Sequence, residues 1–358
     1  CFRMQSDRSD TVSLQNINLE LIRFRLDKLS GILPYMPRIT GLFSAEANYI
    51  QTATSLQVSA EAGVEKLTYE RQPVGNIGLG ATWLPGDKGT HYLNAYFRSG
   101  DQEVMTADAV LTQKNGRDSV EVNTTFEHFP LSLANAFMPD QVVAFTGDID
   151  GGLYISGAME KPKLSGDLSL DSVSVYARQA GARYWFDNRP LKIENNQLIF
   201  NKFAIYTTSR NPFTIDGNVD FRNMENPTAK LNLRAQNYTL LDAPRTKESM
   251  IYGKIFVDLN ATVRGPLDGL TMRGNMNLLG NTDVTYVLTD SPLTVEDRLG
   301  ELVTFTSFTD TTSVQATEVP TMSLGGMDML MSVHIDDAVR LRADLSPDRS
   351  SRVELEGG

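Results

Sequence analysis

Along much of this chain apolar and polar residues alternate one by one, and the alternation returns about a hundred positions later in the same form. From Gly147 the sequence reads GDIDGGLYISGAMEKPKLSGDLSLDSVSV, and from Gly253 it reads GKIFVDLNATVRGPLDGLTMRGNMNLLG. In the first copy Ile149, Leu153 and Ile155 share a parity, followed by Leu164, Gly166, Leu168 and Leu170. In the second, Ile255, Val257, Leu259, Ala261 and Val263 do, followed by Leu270, Gly274, Met276 and Leu278. Each copy carries two glycines nine residues apart, at 157 and 166 and at 265 and 274, an offset of 108. A period of two means strands with one apolar and one polar face. Repetition of strand, glycine turn and strand predicts an elongated, repetitive β structure, with a long apolar face that nothing obvious covers.

The rest of the chain follows the same rule. Ile17, Leu19 and Leu21 share one parity and Ile22, Phe24 and Leu26 the other. Such a flip is what a β-bulge produces, because one extra residue turns the following side chains over. Leu198 and Phe200 against Phe203 and Ile205 flip likewise. Strands are expected at Phe43–Tyr49, Leu56–Ala62, 64–70, 76–84, 91–98, 103–113 and 118–126, separated by Pro85-Gly86-Asp87, Ser99-Gly100-Asp101 and Asn115-Gly116. Pro130 to Pro139 has helix-compatible spacing at Leu131, Leu133, Ala134 and Phe137 and reads as a short helix across the sheet; 294–302 reads as a second. No βαβ alternation occurs, which excludes a doubly wound fold. The expected fold is therefore all-β, with one or two short helices. The expected division is an opening segment 1–38, a β segment 39–140 ending in the short helix, and a segment 141–358 holding the repeat at 147–175 and 253–279.

Composition narrows the function. Net charge is −11 across 358 residues, so no basic patch favours nucleic acid. The single cysteine, Cys1, excludes an intrachain disulfide; at the first position it is read as a fragment boundary, with an acylated lipoprotein residue as the alternative. No run of about 18 apolar residues predicts a membrane helix. His91, His128 and His334 are scattered, without the spacing of a metal site, and no metal or cofactor is expected. Gly78 and Gly80 in NIGLGATW open no helix, so they form no dinucleotide fingerprint, and no nucleophile elbow or phosphate loop appears. Asp148 and Asp150 lack the rest of a calcium loop and are placed on the solvent face beside Ile149. No catalytic residue is assigned, and the chain is not expected to be an enzyme. The apolar stripe is left with two readings: a closed sandwich or barrel core, or an open groove for acyl chains.

FPLSLANAFMPD (Phe129–Asp140), the stretch Phe145–Phe186, the stretch Ile193–Phe221 and the terminal LRADLSPDRSSRVELEGG together resemble the C-terminal region of the TamB family, the translocation and assembly module subunit, in its Bacteroidetes form. The resemblance covers roughly residues 40 to 358. It implies a half-pipe of curled sheet with an apolar interior, a β-taco. It also implies the periplasm of a Gram-negative envelope, with the whole protein anchored in the inner membrane and reaching toward the outer one. The implied partners are phospholipid acyl chains, a BamA- or TamA-type outer-membrane barrel and nascent outer-membrane proteins. The expected groove lining is Ile149, Leu153, Ile155, Leu168, Leu170, Ile215, Val219, Phe221, Leu231, Leu233, Ile255, Val257, Leu259, Met276 and Leu278. Two alternatives to a lipid conduit stay open. One is a scaffold that assembles barrel proteins by strand pairing. The other is a polysaccharide-acting solenoid enzyme, which the presence of only two tryptophans, Trp83 and Trp185, disfavours.

Overall fold

The computed structural model describes residues 2–6, 13–30, 37–114, 117–138, 143–178, 180–246, 250–287, 328–345 and 352–357. They fall into two compact units. The first comprises Cys1–Ala177, Arg183–Ile205 and Ile215–Pro227, and the second Arg178–Ala182, Tyr206–Thr214 and Thr228–Gly358. The class is all-β, as the alternation predicts.

The first unit opens with ten strands: β1 (Phe2–Ser6), β2 (Ser13–Arg25), β3 (Ile39–Thr52), β4 (Leu56–Tyr69), β5 (Gln72–Pro85), β6 (Thr90–Ser99), β7 (Gln102–Lys114), β8 (Arg117–Pro130), β9 (Val143–Ala158) and β10 (Lys163–Ala177). Each pairs antiparallel with the next, so the chain meanders without a crossover. The segments 56–62 and 64–70, expected apart, are one strand, because a bulge between Val64 and Leu67 keeps the pairing with β5 going. The strands β11 (Ala182–Phe186), β12 (Leu191–Glu194), β13 (Gln197–Tyr206) and β14 (Phe213–Asp220) follow. β12 pairs with both β10 and β13.

In the second unit β15 (Thr228–Ala243), β16 (Ile251–Pro266) and β17 (Thr271–Leu278) pair antiparallel in order. β18 (Asp283–Val287) joins β16 antiparallel. Two strands then return in parallel, β19 (Asp328–Ile335) on β17 and β20 (Arg340–Asp344) on β18, and β21 (Arg352–Glu356) closes antiparallel on β20.

One local device recurs in both units. Arg23, Lys66, His128, Lys202 and Asn237 hold φ between 44° and 51°, a left-handed conformation rare outside glycine. Four of them lie at register shifts, at Leu21/Phe24, Val64/Leu67, Phe126/Phe129 and Ala235/Tyr238. In every case the backbone N–H donates to a side-chain oxygen one hairpin away: Ser44 Oγ at 3.0 Å, Asn76 Oδ1, Asp150 Oδ1 and Asp216 Oδ1 at 2.8 Å, and Asp258 Oδ1 at 2.7 Å. The conformation costs about 1–2 kcal/mol. At the three aspartates a hydrogen bond to a charged acceptor contributes roughly 1.5–3 kcal/mol and offsets it, and the neutral Ser44 and Asn76 contribute about 0.5–1.5 kcal/mol. The phase flips expected at residues 21–24 and 200–203 fall on two of these residues, Arg23 and Lys202.

The sequence repeat is a structural one. β9 and β16 are offset by 108 residues at both ends, and the clamp acceptors Asp150 and Asp258 share that offset. So do Gly166 and Gly274. A Cβ on Gly166 would lie 2.1 Å from the Gly152 carbonyl, and one on Gly274 2.3 Å from that of Asn260, so both hairpins close too tightly for any side chain. Across the bulge the packing is exchanged: Phe126 faces Gly151 in the first copy, and Ala235 faces Leu259 in the second.

Helical structure is sparse. A four-residue helix spans Asp27–Ser30, and 3-10 turns span Asp87–Gly89 and Leu131–Phe137. The helix expected after Pro130 is thus a 3-10 segment; the one expected at 294–302 lies outside the described residues.

Candidate functional site

In the first unit the register aligns apolar positions into rows that run from strand to strand. One row is made of alanines: Ala47 opposite Ala60, Ala60 opposite Ala81, Ala81 opposite Ala95, Ala95 opposite Ala107. It continues to Thr124 and Leu153 on one side and to Leu19 and Met4 on the other. Two residues along each strand, a row of larger side chains flanks it, Leu79, Phe97, Met105 and Phe126. On the other side stand Tyr49, Val58, Trp83 and Leu93. Small residues between large ones make a trough. With strands about 4.8 Å apart, the five alanines extend over roughly 19 Å, about the extended length of a sixteen-carbon acyl chain.

This face is poorly covered. Leu79 is 53% and Leu19 38% exposed, and of the alanine row none is buried. The second unit differs. There Ala235, Tyr238 and Val257 form a buried cluster with Phe213, Ile255, Leu259, Met276 and Leu278 packed against it, and Phe213 and Tyr238 have ring centroids 5.8 Å apart.

The expected lining residues divide accordingly. Ile149, Leu153 and Ile155 on β9 and Leu168 and Leu170 on β10 share the face of the alanine row, with Ile149 opposite Leu170 and Leu168 opposite Gly151. Leu231, Leu233, Ile255, Val257, Leu259, Met276 and Leu278 share one face of β15–β17 in the second unit. Ile215 and Val219 lie on one side of β14, Val219 buried; Phe221 follows that strand, its N–H donating to the Asn196 carbonyl at 2.7 Å. The first half of the trough was not among the expected lining. Its alternation is present in the sequence, but alanine and glycine carry so little apolar surface that a trough floor reads as an indifferent strand.

The opposite face of the first unit is polar and internally paired. Asn94 donates to Asp108 at 2.5 Å, Asn18 to Glu46 at 3.1 Å, and Tyr96 to Glu61. The Glu61 carboxylate raises the Tyr96 phenol above its ordinary pKa. His128, Asp150 and Asp171 bring three ligand-type atoms within 4.8 Å of one another, a convergence the sequence spacing does not reveal. Asp150 there accepts the His128 backbone N–H, as Asp258 accepts that of Asn237, where no histidine is present. The bulge clamp therefore accounts for the place of Asp150 beside His128.

The Leu131–Phe137 segment lies on the apolar face. Asn135 binds the Phe145 backbone of β9 twice, donating to its carbonyl at 2.9 Å and accepting its N–H at 2.6 Å. Two residues on, Phe137 meets Tyr69 of β4, ring centroids 4.9 Å apart. A flat sheet would set β4 and β9 about 24 Å apart, whereas Asn135 and Phe137 are separated by about 4 Å of 3-10 rise. Contact with both means that the sheet of this unit curls. Phe97, Phe126 and Phe129, each pair with centroids 5.9 Å apart where they meet, line the strands between.

Among the described residues no helix is long and apolar enough to cross a membrane. Residues 201–357 match the family model described as the TamB C-terminal domain. No curated protein and no solved structure matches the chain.

Proposed function

We propose that this chain, a member of the TamB family by its residues 201–357, is a non-enzymatic conduit that carries phospholipid acyl chains through the periplasm between the inner and outer membranes. The family's role is in envelope transport of lipid or protein, and the observation that favours lipid is the uncovered trough of the first unit. An acyl chain crossing water exposes about 0.8 kcal/mol per methylene, on the order of 12 kcal/mol for sixteen carbons. A continuous apolar face removes most of that barrier, and a headgroup at its rim stays hydrated. No bond is made or broken, so no catalytic group is required. A TamA-type outer-membrane barrel is the partner this reading supplies with lipid.

The test is native mass spectrometry of protein purified without detergent from a bacterial periplasm. Phospholipid should co-purify, and Leu168→Asp, which places a carboxylate on the trough face of β10, should lower its occupancy at least fivefold without unfolding the chain. Equal lipid in both proteins would refute the conduit.

A second reading, assembly of barrel proteins by strand pairing, has one observation in its favour. β21 is hydrogen-bonded to β20 and exposes Val353 and Leu355. On that reading a proline at Leu355 would impair barrel assembly more than a charge in the trough does.

A further inference from the structure

We propose that His128, Asp150 and Asp171 bind a divalent cation of the zinc kind, and that the ion ties β8, β9 and β10 together across the two bulges they share. The inference does not depend on the lipid reading and goes beyond it.

The three residues stand on three adjacent strands. His128 sits in the bulge between Phe126 and Phe129, Asp171 at the edge of the bulge between Asp171 and Ser174, and Asp150 on the strand between them. Each offers a ligand-type atom within 4.8 Å of the other two. Asp150 divides its carboxylate: Oδ1 accepts the His128 backbone N–H at 2.8 Å, and Oδ2 lies 3.4 Å from the imidazole Nδ1. Two donors on one tetrahedral zinc, with bonds of about 2.0–2.1 Å, stand roughly 3.4 Å apart. The clamp thus orients the carboxylate as hydrogen bonds orient a metal ligand. An imidazole among carboxylates suits zinc, whereas calcium and magnesium take oxygen.

This corner also carries charge that the clamp does not use. Asp148 lies directly opposite Asp171 and shares the parity of Asp150, so three carboxylates crowd one polar face. Among the described residues their one ion pair is that of Asp150 with His128. Like charges opposite each other across a ladder destabilise it, and a divalent ion between them reverses that sign. The second copy of the repeat shows that the clamp needs none of this. Asn237 stands in place of His128 and donates to Asp258 at 2.7 Å. Phe256 and Leu279, 108 residues after Asp148 and Asp171, meet across the ladder, the Leu279 N–H donating to the Phe256 carbonyl at 2.9 Å. The clamp is common to both copies, and the imidazole with its two further carboxylates belongs to the first alone.

The experiment titrates Zn²⁺ into the full, tag-free chain carrying Cys1→Ser, which removes the one thiol. Isothermal calorimetry reads binding, and circular dichroism follows thermal unfolding with and without the metal. One ion should bind saturably, and at saturation the unfolding midpoint should rise by several degrees. Two variants copy the second repeat. His128→Asn keeps the backbone clamp and should weaken binding at least about tenfold. Asp171→Leu should weaken it as much, and without metal should be no less stable than the parent, because it removes the carboxylate opposite Asp148. Absence of saturable binding by the parent at about 100 μM Zn²⁺, or equal affinity in the parent and both variants, would overturn the site. Lower metal-free stability of Asp171→Leu would give that carboxylate a part in the fold itself and overturn the argument from charge. Binding lost in both variants, with no rise in the parent's midpoint, would overturn the ion's role as a tie between strands.

Discussion

Leu168 and Val257 both stand at apolar positions of the alternation in the sequence, yet they sit in different surroundings. Leu168 is half-buried on the trough face of β10, opposite a glycine. Val257 is 2% exposed, inside the cluster with Tyr238 and Ala235. An aspartate at 257 would be a carboxylate buried in an apolar cluster, and such groups destabilise by about 3–5 kcal/mol or force an upward pKa shift. Val257→Asp should therefore cost at least about 3 kcal/mol in urea denaturation followed by circular dichroism, whereas Leu168→Asp should cost about 1 kcal/mol or less, because its carboxylate can reach water. Equal losses would mean that the two faces are equally packed. The practical consequence is that Val257 cannot serve as a probe of lipid passage, since its replacement unfolds what it is meant to test, while Leu168 can.

At the scale of the element the recurring unit is the clamped bulge. Its sequence form is an apolar residue, two polar or mixed ones and another apolar residue, as in Phe126-Glu-His-Phe129 and Ala235-Gln-Asn-Tyr238, with an oxygen acceptor on the following strand. Removing the acceptor leaves a left-handed residue with an unsatisfied N–H. Asp258→Ala should cost about 1–2 kcal/mol, Asp258→Asn distinctly less, and adding Asn237→Gly to Asp258→Ala should recover part of the loss, because glycine adopts that φ without a Cβ penalty. If the double variant is no more stable than Asp258→Ala, the strain does not reside at Asn237. The bulges also explain what was legible beforehand. Parity gave away the strands and, at Leu21–Phe24 and Phe200–Phe203, the flips themselves. The acceptors were invisible, because Asp150 and Asp258 look like any solvent-side aspartate until the register puts them beside a strand's unpaired N–H. The 108-residue repeat was readable from its glycines, of which Gly166 and Gly274 are fixed by close backbone approach and Gly157 and Gly265 by φ of 111° and 117°. The alanine floor was not, since smallness registers as a signal only when five strands set it in line.

For the molecule as a whole, the lipid reading depends on that floor being open and not merely an under-packed core. The two possibilities respond in opposite ways to a larger side chain. In a core, phenylalanine for alanine overpacks and destabilises by about 1–3 kcal/mol. In an open trough it meets water or ligand, stability is nearly unchanged, and the ring occupies the space an acyl chain would use. Ala95, half-buried in the row between Ala81 and Ala107, is the position that separates them. Ala95→Phe should alter the urea midpoint little and lower co-purified phospholipid at least fivefold. Ala95→Ser, which preserves volume and adds a hydroxyl, should leave occupancy within about twofold. Marked destabilisation by Ala95→Phe with lipid retained would place this face inside a closed core and return the function to strand pairing. Loss of lipid with stability intact ties passage to a channel one chain deep, and then the rate of transfer should be governed by how readily successive alanines are vacated and reoccupied, a property of the row's length and not of any single residue along it.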